Sequence, residues 1–368
     1  METVVDNVDF TEKVVTGTTK DGEKVVESYD KLILATGSRP ISPKVPGNDL
    51  EGLHFLKLFQ EGQAVDKEIS KDSVKTVAVI GAGYIGVEIA EAAKRRGKKV
   101  LLFDAAGRSL PSYYDKWFTD DMDHNLADHG IELHFGELVR EYKGTTRVEA
   151  VVSDSGEYPV DMVINAIGFG PNAELGKDHL ELFANGAYLV DRHQQTSDPA
   201  VYAVGDCATI YSNALQKTTY IALASNAVRS GIVAGFNVGG KVVESEGVQG
   251  SNGISIFGLN LVSTGLSVEA AEKNGLAVSY VDHEALQRPA FMEHNAQVKI
   301  RIVYETESRR IVGAQLASTE DISMAIHMFS LAIAKSVTID ELKLTDLFFL
   351  PHFNEPYNYI TQAALKAK

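Results

Sequence analysis

The sequence predicts an α/β fold divided into several domains, and three observations lead to this prediction. Short apolar runs that end in glycine are typical of buried strands, and one of them is followed directly by a helix and a second strand. Beyond residue 246 the composition shifts towards longer strands and a helical tail, which indicates a mixed domain. A chain of 368 residues is also long enough for two or three domains of ~150 residues each.

Composition argues against several classes of protein. The 35 Lys and Arg against 50 Asp and Glu give a net charge of −15, which argues against a nucleic acid or an anionic membrane surface as the partner. Apolar residues at 44% and charged residues at 23% are ordinary for a globular protein and argue against disorder. The sequence shows no secretory signal and no apolar run of about 18 residues, so we expect a cytoplasmic protein without a membrane span.

Cys207 is the only cysteine in the sequence. It can form no internal disulfide and no cysteine-based zinc cluster, and it is consistent with a reducing compartment. The 10 histidines show no spacing typical of metal ligands, and we interpret His124 and His129, which lie beside acidic residues, as surface residues. The sequence therefore predicts no metal site.

The first part of the chain predicts β-structure. Val14-Val15 and Val25-Val26 flank Lys20-Asp21-Gly22, and an Asp-Gly pair between β-branched runs is a strong hairpin signal. The apolar run 32–35 predicts a buried strand, and the prolines of 39–48 predict a loop at a domain crossing.

A strand–helix–strand unit begins near residue 76. Residues 77–80 and 100–103 are apolar runs, and the segment between them has the charge distribution of an amphipathic helix over 84–96. Gly97 follows this helix as expected of a glycine at a helix C-terminus. The same patterns predict further apolar strands and one long helix, at 162–168, 201–206 and 219–235 respectively.

Gly81, Gly83 and Gly86 form a G-x-G-x-x-G motif between the first predicted strand of this unit and its helix. In a dinucleotide-binding unit the first glycine permits the tight turn, the second lets the backbone approach a pyrophosphate, and the third lets the helix pack closely on the strand. The pyrophosphate then lies over the helix N-terminus, where free N–H groups and the helix dipole favour an anion. The combination of strand, motif and helix therefore predicts a Rossmann-like unit.

Asp104 ends the next predicted strand. A carboxylate at this place is expected to accept hydrogen bonds from the adenosine ribose and to repel a 2′-phosphate. We therefore expect NAD(H) rather than NADP(H), although Arg108, four residues later, weakens the electrostatic argument. The alternative is a glycine-rich turn in an α/β protein that binds no nucleotide.

Four motifs in order along the chain resemble those of the flavin-dependent pyridine nucleotide–disulfide oxidoreductases. They are Leu34-Ala35-Thr36-Gly37-Ser38, Gly81–Gly86, 167–172 and Val204-Gly205-Asp206. The segment 348–356, Phe-Phe-Leu-Pro-His-Phe-Asn-Glu-Pro, resembles the branch of water-forming NADH oxidases and NADH peroxidases. The resemblance covers essentially the whole chain.

This resemblance implies two Rossmann-like nucleotide-binding domains, the FAD one incomplete here, and a C-terminal mixed α+β dimerisation domain. The FAD-binding domain is expected at 1–44 and 169–245, the NAD-binding domain at 45–168, and the dimerisation domain at 246–368. The implied activity is transfer of a hydride from NADH to FAD, followed by reduction of oxygen to water. The implied partners are NADH, oxygen or peroxide, and a second copy of the chain.

The resemblance also assigns roles to single residues. Those expected near FAD are Ala35, Ser38, Lys57, Asp206, Leu223, Ala224 and Ser225, and Phe349 is expected to reach the flavin of the partner subunit. Those expected to contact NADH, besides the three motif glycines, are Ile85, Asp104, Tyr113 and Gly168. Tyr84 is expected to cover the flavin until the nicotinamide displaces it, with Glu88 near the site of hydride transfer. Without the resemblance, Tyr84 and Phe349 would be interpreted as core aromatics, and Lys57 and Glu88 as surface residues.

The sequence departs from the family pattern at one place. The family normally begins with a βαβ unit that carries its own glycine motif for FAD, followed by a redox cysteine, and this chain contains neither. Cys207 follows Asp206, a position that does not match that cysteine, and we interpret it as a small buried residue. We therefore expect little NADH oxidase activity from the chain as written. NADH peroxidase, coenzyme A–disulfide reductase and an inert NAD-binding dimeric module remain alternatives.

Overall fold

The structure is a computed structural model that describes residues 2–368. The strands of this range, in chain order, are β1 Thr3–Asp9, β2 Val14–Thr19, β3 Lys24–Ser28, β4 Leu32–Leu34, β5 Ser38–Pro40, β6 Leu53–Phe55, β7 Thr76–Ile80, β8 Lys99–Asp104, β9 Glu132–Phe135, β10 Val139–Gly144, β11 Val148–Ser153, β12 Glu157–Pro159, β13 Met162–Asn165, β14 Phe169–Pro171, β15 Val201–Ala203, β16 Ile210–Ser212, β17 Lys217–Thr219, β18 Asn252–Ile256, β19 Leu259–Gly265, β20 Val278–Leu286, β21 Gln297–Glu305 and β22 Ile311–Ser318. The α-helices are α1 Phe59–Ile69, α2 Tyr84–Arg95, α3 Lys116–Asp128, α4 Ala224–Val238, α5 Val268–Lys273, α6 Ser323–Ala334, α7 Ile339–Leu342 and α8 Tyr359–Leu365.

One compact unit comprises the chain up to Arg39 together with Phe169–Gly250. Its first strands form the antiparallel sheet β1-β2-β3, which confirms the predicted hairpin, with Gly22 in the left-handed region at φ +87°. Strand β4 pairs in parallel with β15, and α4 follows the short hairpin β16-β17. Apolar side chains such as Leu34, Tyr188 and Val201 form the core of this unit.

The second compact unit comprises Pro40–Gly168 and Ser251–Lys368. Its first part is a five-stranded parallel sheet in the order β6-β13-β7-β8-β9. The predicted strand–helix–strand unit is confirmed as β7, α2 and β8, and Gly97 ends the helix with φ +73°. Val79, Leu102 and Met162 are fully buried in the sheet, which explains why these strands are apolar throughout.

The second part of this unit is an antiparallel sheet in the order β18-β19-β22-β21-β20. Helix α6 packs on β19 and β22, whereas α8 packs on β20 and β21. Ile254, Ile256 and Leu261 of this sheet belong to the same buried cluster as Val79 and Leu102 of the parallel sheet. The predicted α/β class with a mixed C-terminal region is therefore confirmed, while the boundaries of the three predicted domains stay predictions.

The helix predicted over 219–235 is wrong at both ends, because α4 begins at Ala224 and extends to Val238. Thr218 and Thr219 instead pair with β16 in the hairpin β16-β17. Threonine is β-branched, so it favours a strand wherever a partner strand is available. The predicted strand 201–206 is shorter as well, since it ends at Ala203 and a 3-10 helix occupies Gly205–Cys207.

Candidate nucleotide-binding site

A cavity of about 450 Å³ lies at the carboxyl ends of the parallel strands. Ligands of open α/β sheets bind at this edge, because the loops and helix N-termini there leave a crevice. Residues that line the cavity are Pro43, Ile80, Gly81, Gly83, Phe103, Asp104, Ala105, Pro111, Ser112, Tyr113, Glu137, Leu138, Val139, Ala166, Ile167 and Gly168. Five of the residues predicted to bind the nucleotide therefore lie together: Gly81, Gly83, Asp104, Tyr113 and Gly168.

A cavity of about 540 Å³ lies elsewhere in this unit, lined by Lys71, Thr76, Arg147 and Asp161 among others. Thr76 is the first residue of β7, so this cavity is at the amino ends of the strands. That edge has neither the glycine turn nor the start of α2. Its size alone therefore does not make it the nucleotide site.

The glycines of the turn differ in what surrounds them. Gly81 has φ +102°, and a Cβ there would lie 2.5 Å from the carbonyl oxygen of Ala166. At Gly86 a Cβ would lie 1.8 Å from the carbonyl oxygen of Gly81, so the helix start packs directly on the turn. At Gly83 a Cβ would meet no atom within 4 Å. Gly83 is the N-cap of α2, so the open space lies where a phosphate can approach the first N–H groups of the helix.

Asp104 is the last residue of β8, and its carboxylate is held at the cavity by two backbone groups. Oδ2 accepts a hydrogen bond from the N–H of Ala82 at 2.7 Å, and Oδ1 accepts one from the N–H of Ala106 at 2.7 Å. Each carboxylate oxygen can accept more than one hydrogen bond. The acid is therefore both oriented by the two loops and able to accept ribose hydroxyls.

Tyr113 and Gly168 line the same cavity, and Gly168 is the last residue of the predicted NAD-binding segment. Gly168 has φ +109°, and its carbonyl oxygen accepts the N–H of Ile41 at 3.0 Å. Tyr113 is 37% exposed, and partial burial raises the pKa of its hydroxyl. An exposed ring beside a cavity can stack on a base or a sugar of a nucleotide.

Tyr84, the first residue of α2, forms hydrogen bonds and a ring contact with neighbouring side chains. Its hydroxyl forms a hydrogen bond with the Tyr114 hydroxyl at 2.8 Å and donates another to Oδ1 of Asn252. Its ring meets that of Tyr113 edge-on, with centroids 4.4 Å apart. Burial, and next the Tyr114 hydroxyl, raise the pKa of Tyr84 well above its ordinary value, so the group stays protonated and can donate. The predicted movement of Tyr84 requires these contacts to break.

Other predicted residues lie on the same unit but do not line the cavity. Ile85 and Glu88 are on α2, and partial burial, followed by the nearby Glu91, raises the pKa of Glu88. Lys57 is exposed in the loop before α1, and Phe349 is 47% exposed in the loop between α7 and α8. Their assigned roles remain predictions.

Several residues predicted to contact FAD lie together in the first unit. The Ser38 hydroxyl donates a hydrogen bond to Oδ2 of Asp206 at 2.8 Å, and the Tyr220 hydroxyl donates one to the Asp206 carbonyl oxygen at 2.8 Å. Leu223 is the N-cap of α4, and Ala224 and Ser225 in its first turn are exposed.

The backbone at this place leaves room for a ligand. Gly37 has φ +68°, and a Cβ there would meet no atom within 4 Å. Ala35, directly after β4, is exposed. An oriented acid–hydroxyl pair, an open glycine turn and an exposed helix N-terminus suit the ribityl hydroxyls and the negative charge of a flavin cofactor. These residues therefore fit the group that the motifs predicted.

Cys207 is fully buried, as the sequence predicted. Its thiol is within hydrogen-bonding distance of the carbonyl oxygens of Val204 and Leu34, at 3.2 and 3.5 Å. Both partners are backbone atoms in the core of the first unit. This environment is that of a structural cysteine.

Several cavity residues were not predicted from the sequence. Ala166 and Ile167 directly precede Gly168, so the apolar strand that ends there was a usable signal. Glu137 and Leu138 reach the cavity from the turn between β9 and β10, and no motif marks them. Across residues 2–368 no group of three or more His, Cys, Asp or Glu could hold a metal ion, and no helix is long and apolar enough to cross a membrane.

The sheet, the glycine turn and the acid at the end of β8 define a dinucleotide-binding α/β protein. Comparison with known proteins gives the family. Residues 1–231 match the model of the pyridine nucleotide-disulphide oxidoreductases, and residues 253–359 match the dimerisation domain of the same family. The chain belongs to the pyridine nucleotide-disulphide oxidoreductase family, which confirms the resemblance found in the sequence.

Similar proteins are known by sequence and by structure. An NADH oxidase of Lactococcus lactis is 66% identical over 371 residues, which span 100% of this chain and 83% of that protein. An NADH oxidase of Streptococcus pyogenes is 54% identical, with the same shares covered. The structure of a water-forming NADH oxidase from Lactobacillus brevis bound to NADH matches with a TM-score of 0.95 and 36% identity, over 99% of this chain and 80% of that one. An engineered NADPH-bound variant of that enzyme matches with a TM-score of 0.95 and 36% identity, over 98% and 80%.

Proposed function

We propose that this chain is an FAD-dependent NADH oxidase that passes a hydride from NADH to the flavin and then reduces oxygen to water. The observation that carries the proposal is 66% identity to an NADH oxidase over 100% of the chain. The cavity at the carboxyl edge of the parallel sheet supports it, because five of the residues predicted to bind NADH line it.

The second unit would bind NADH. The pyrophosphate lies over the open turn at Gly83 and the start of α2, where N–H groups favour an anion. Asp104 accepts the hydroxyls of the adenosine ribose, and Tyr113 lies against the adenosine half. Gly168, which also lines the cavity and has φ +109°, would let the backbone approach the nicotinamide half.

The comparison with the NADPH-bound variant supports the position of the adenosine end. The residues substituted in that variant are a glycine, an aspartate, an alanine, a methionine and a proline. Gly86, Asp104, Ala105, Ala106 and Pro111 have the same spacing in this chain, with alanine in place of the methionine. Asp104, Ala105 and Pro111 line the cavity here.

The first unit would hold FAD, which when bound supplies a two-electron acceptor that can also react with oxygen. The Ser38 hydroxyl donates to Asp206, so its oxygen and the Asp206 carboxylate would accept hydrogen bonds from the ribityl hydroxyls, beside Ala35. The N-terminus of α4, from Leu223 to Ser225, stabilises negative charge on the ring. Lys57 and the partner subunit's Phe349 are proposed as further contacts of the flavin cofactor.

The proposed partners are NADH, oxygen and a second copy of the chain, since residues 253–359 match a dimerisation domain. The proposed location is the cytoplasm, which is consistent with a single buried cysteine and an acidic composition.

Oxygen uptake by the purified chain, supplied with FAD and NADH, tests the proposal, and its rate tests the separate expectation from the sequence that the activity is low. Reduction of one oxygen to water consumes two NADH and two protons, so a ratio of two NADH to one oxygen, unaffected by catalase, is expected. NADH oxidation that requires added peroxide or coenzyme A disulfide would instead identify a peroxidase or a disulfide reductase. NADH binding without a flavin absorption band and without turnover would identify an inert module.

A further inference from the structure

Arg108 lies in the loop between β8 and α3, four residues after Asp104. Residues on both sides of it in this loop, Asp104, Ala105 and Pro111, line the cavity, whereas Arg108 itself does not. It is the only Lys or Arg between Asp104 and Tyr113. It is therefore the cation of this loop that could pair with a 2′-phosphate, as arginines near this position do in NADP-binding proteins.

Arg108 is instead paired with an acid from a distant part of the chain. One of its Nη atoms donates hydrogen bonds to both Oε1 and Oε2 of Glu269, each at 2.7 Å. Both side chains are partly buried, with 19% and 38% of their area exposed. Partial burial reduces screening by solvent, so this ion pair is stronger than one on the open surface.

Glu269 is held in place by the start of α5. The buried carboxylate of Asp115 accepts the N–H groups of Val268 and Glu269 at 3.1 and 3.2 Å. The Ser267 hydroxyl accepts the N–H of Ala270 as the cap of the same helix. The backbone that carries Glu269 is thus fixed from two sides, and the acid is oriented before any nucleotide binds.

The pairing leaves Arg108 with unused capacity. Its Nε is buried and has no hydrogen-bond partner among residues 2–368. The planar guanidinium of arginine donates several hydrogen bonds in a geometry that suits a phosphate. Glu269 accepts hydrogen bonds from only one of the two Nη atoms of Arg108. A guanidinium released from Glu269 would therefore gain a better partner in a 2′-phosphate.

We propose that Glu269 is a positioning residue for cofactor specificity: it holds Arg108 away from the nucleotide site and so disfavours NADPH. The inference rests on the proposed binding of NADH at the cavity. Asp104 repels a 2′-phosphate directly, whereas Glu269 acts at a distance by withholding the cation that would compensate. Preference for NADH thus depends on two acids, only one of which touches the nucleotide.

Titration calorimetry of the full-length protein with NADH and with NADPH tests the role of Glu269. For Glu269→Gln we expect the Kd for NADPH to fall about fivefold, while the Kd for NADH stays within about twofold. Glu272→Gln is the matched control, because it removes an exposed acid from the same helix and does not contact Arg108. It should change neither Kd.

The double variant Glu269→Gln with Arg108→Gln separates this role from a general change in charge. The gain in NADPH affinity should vanish there, because Glu269 acts through Arg108. Arg108→Gln alone should leave both affinities unchanged, a result that does not depend on how well Glu269→Gln folds. Equal shifts for both nucleotides, or a gain that persists without Arg108, would overturn the inference. Failure of the unmodified protein to bind either nucleotide would instead refute the proposed function.

Discussion

At the scale of single residues, Asp104 combines a structural and a binding role. Its two oxygens accept the N–H groups of Ala82, in the glycine turn, and of Ala106, in the following loop. The same carboxylate lines the cavity where the ribose is proposed to bind. A change at this residue therefore affects stability and cofactor preference together, and the two effects must be measured separately.

Replacing Asp104 by Ala should narrow the preference for NADH over NADPH by about 1–2 kcal/mol, because a 2′-phosphate no longer meets a carboxylate. The free energy of unfolding should fall by about 1–3 kcal/mol, since two loop N–H groups lose their acceptor. Calorimetric Kd values and denaturant unfolding give the two quantities. Asp128→Asn, an exposed acid at the end of α3, is the control. Equal affinities of the unmodified protein for both nucleotides would contradict the prediction.

Cys207 should behave as a core residue and not as a redox centre. Its thiol is fully buried against Leu34 and Val204, so a thiol reagent should react slowly with the native protein and rapidly after denaturation. Cys207→Ala should cost about 1 kcal/mol of unfolding free energy through lost packing, and leave NADH binding unchanged. Rapid labelling of the native protein, at the rate seen in denaturant, is incompatible with this interpretation.

The residue scale also shows what the sequence could and could not predict. The positions of Gly81, Gly83 and Asp104 followed from spacing, because the turn and the neighbouring strand are local features of one βαβ unit. The bonds of Tyr84 to Tyr114 and Asn252 could not be predicted, since Asn252 is 168 residues away in the sequence. A motif specifies the local backbone, whereas such contacts depend on how distant elements pack.

At the scale of elements, buried strands were predictable and exposed boundaries were not. Strands β7, β8 and β13 are apolar because both faces of the parallel sheet are covered, and this leaves a clear pattern. The start of α4 was misplaced because 217–219 pair with β16, an interaction that no local propensity shows. The sequence likewise did not show that two separate chain segments share one hydrophobic core in the second unit.

The glycine turn before α2 yields a prediction with opposite outcomes at two positions. Gly83→Ala should leave the fold intact, because its Cβ enters open space, but weaken NADH binding about tenfold by occupying the approach of the pyrophosphate. Gly81→Ala should lower the free energy of unfolding by about 3 kcal/mol, since φ is +102° and the Cβ would lie 2.5 Å from a carbonyl oxygen.

Denaturant unfolding and nucleotide titration together separate the two glycines. Gly235→Ala in α4 is the control, because its Cβ also enters open space in a helix far along the chain from the turn. It should leave NADH affinity unchanged. If Gly83→Ala unfolded the protein, or bound NADH as well as the unmodified chain, the turn would not have the role assigned to it.

At the scale of the whole molecule, the order of motifs predicted the family, because that order depends on the chain as a unit and not on any one site. Residues 246–368 are the region through which two copies are predicted to associate, and the structure shows which apolar side chains of this region are exposed. In the C-terminal region, Met324 is 74% exposed and Leu331 is 61% exposed. The two residues lie on the same face of α6, two helical turns apart. Phe348, Phe349 and Phe353 are also exposed in the segment that follows. Apolar area of this kind in a dimerisation domain indicates an interface.

The combined substitutions Met324→Glu and Leu331→Glu should therefore convert a dimer into a monomer of 39.9 kDa, as measured by light scattering. Both side chains are exposed in the single chain, so the free energy of unfolding should change by no more than about 0.5 kcal/mol. Two charges placed in an interface, in contrast, should prevent association.

Lys273→Glu on α5 is the control and should remain dimeric. The monomer should still bind NADH, because the residues that line the cavity lie within 43–168 and not on α6. Its NADH oxidation should fall, because Phe349 is proposed to reach the flavin of the partner subunit. Particles of 39.9 kDa from the unmodified protein would contradict self-association, and a double variant that stays dimeric would place the interface on another face.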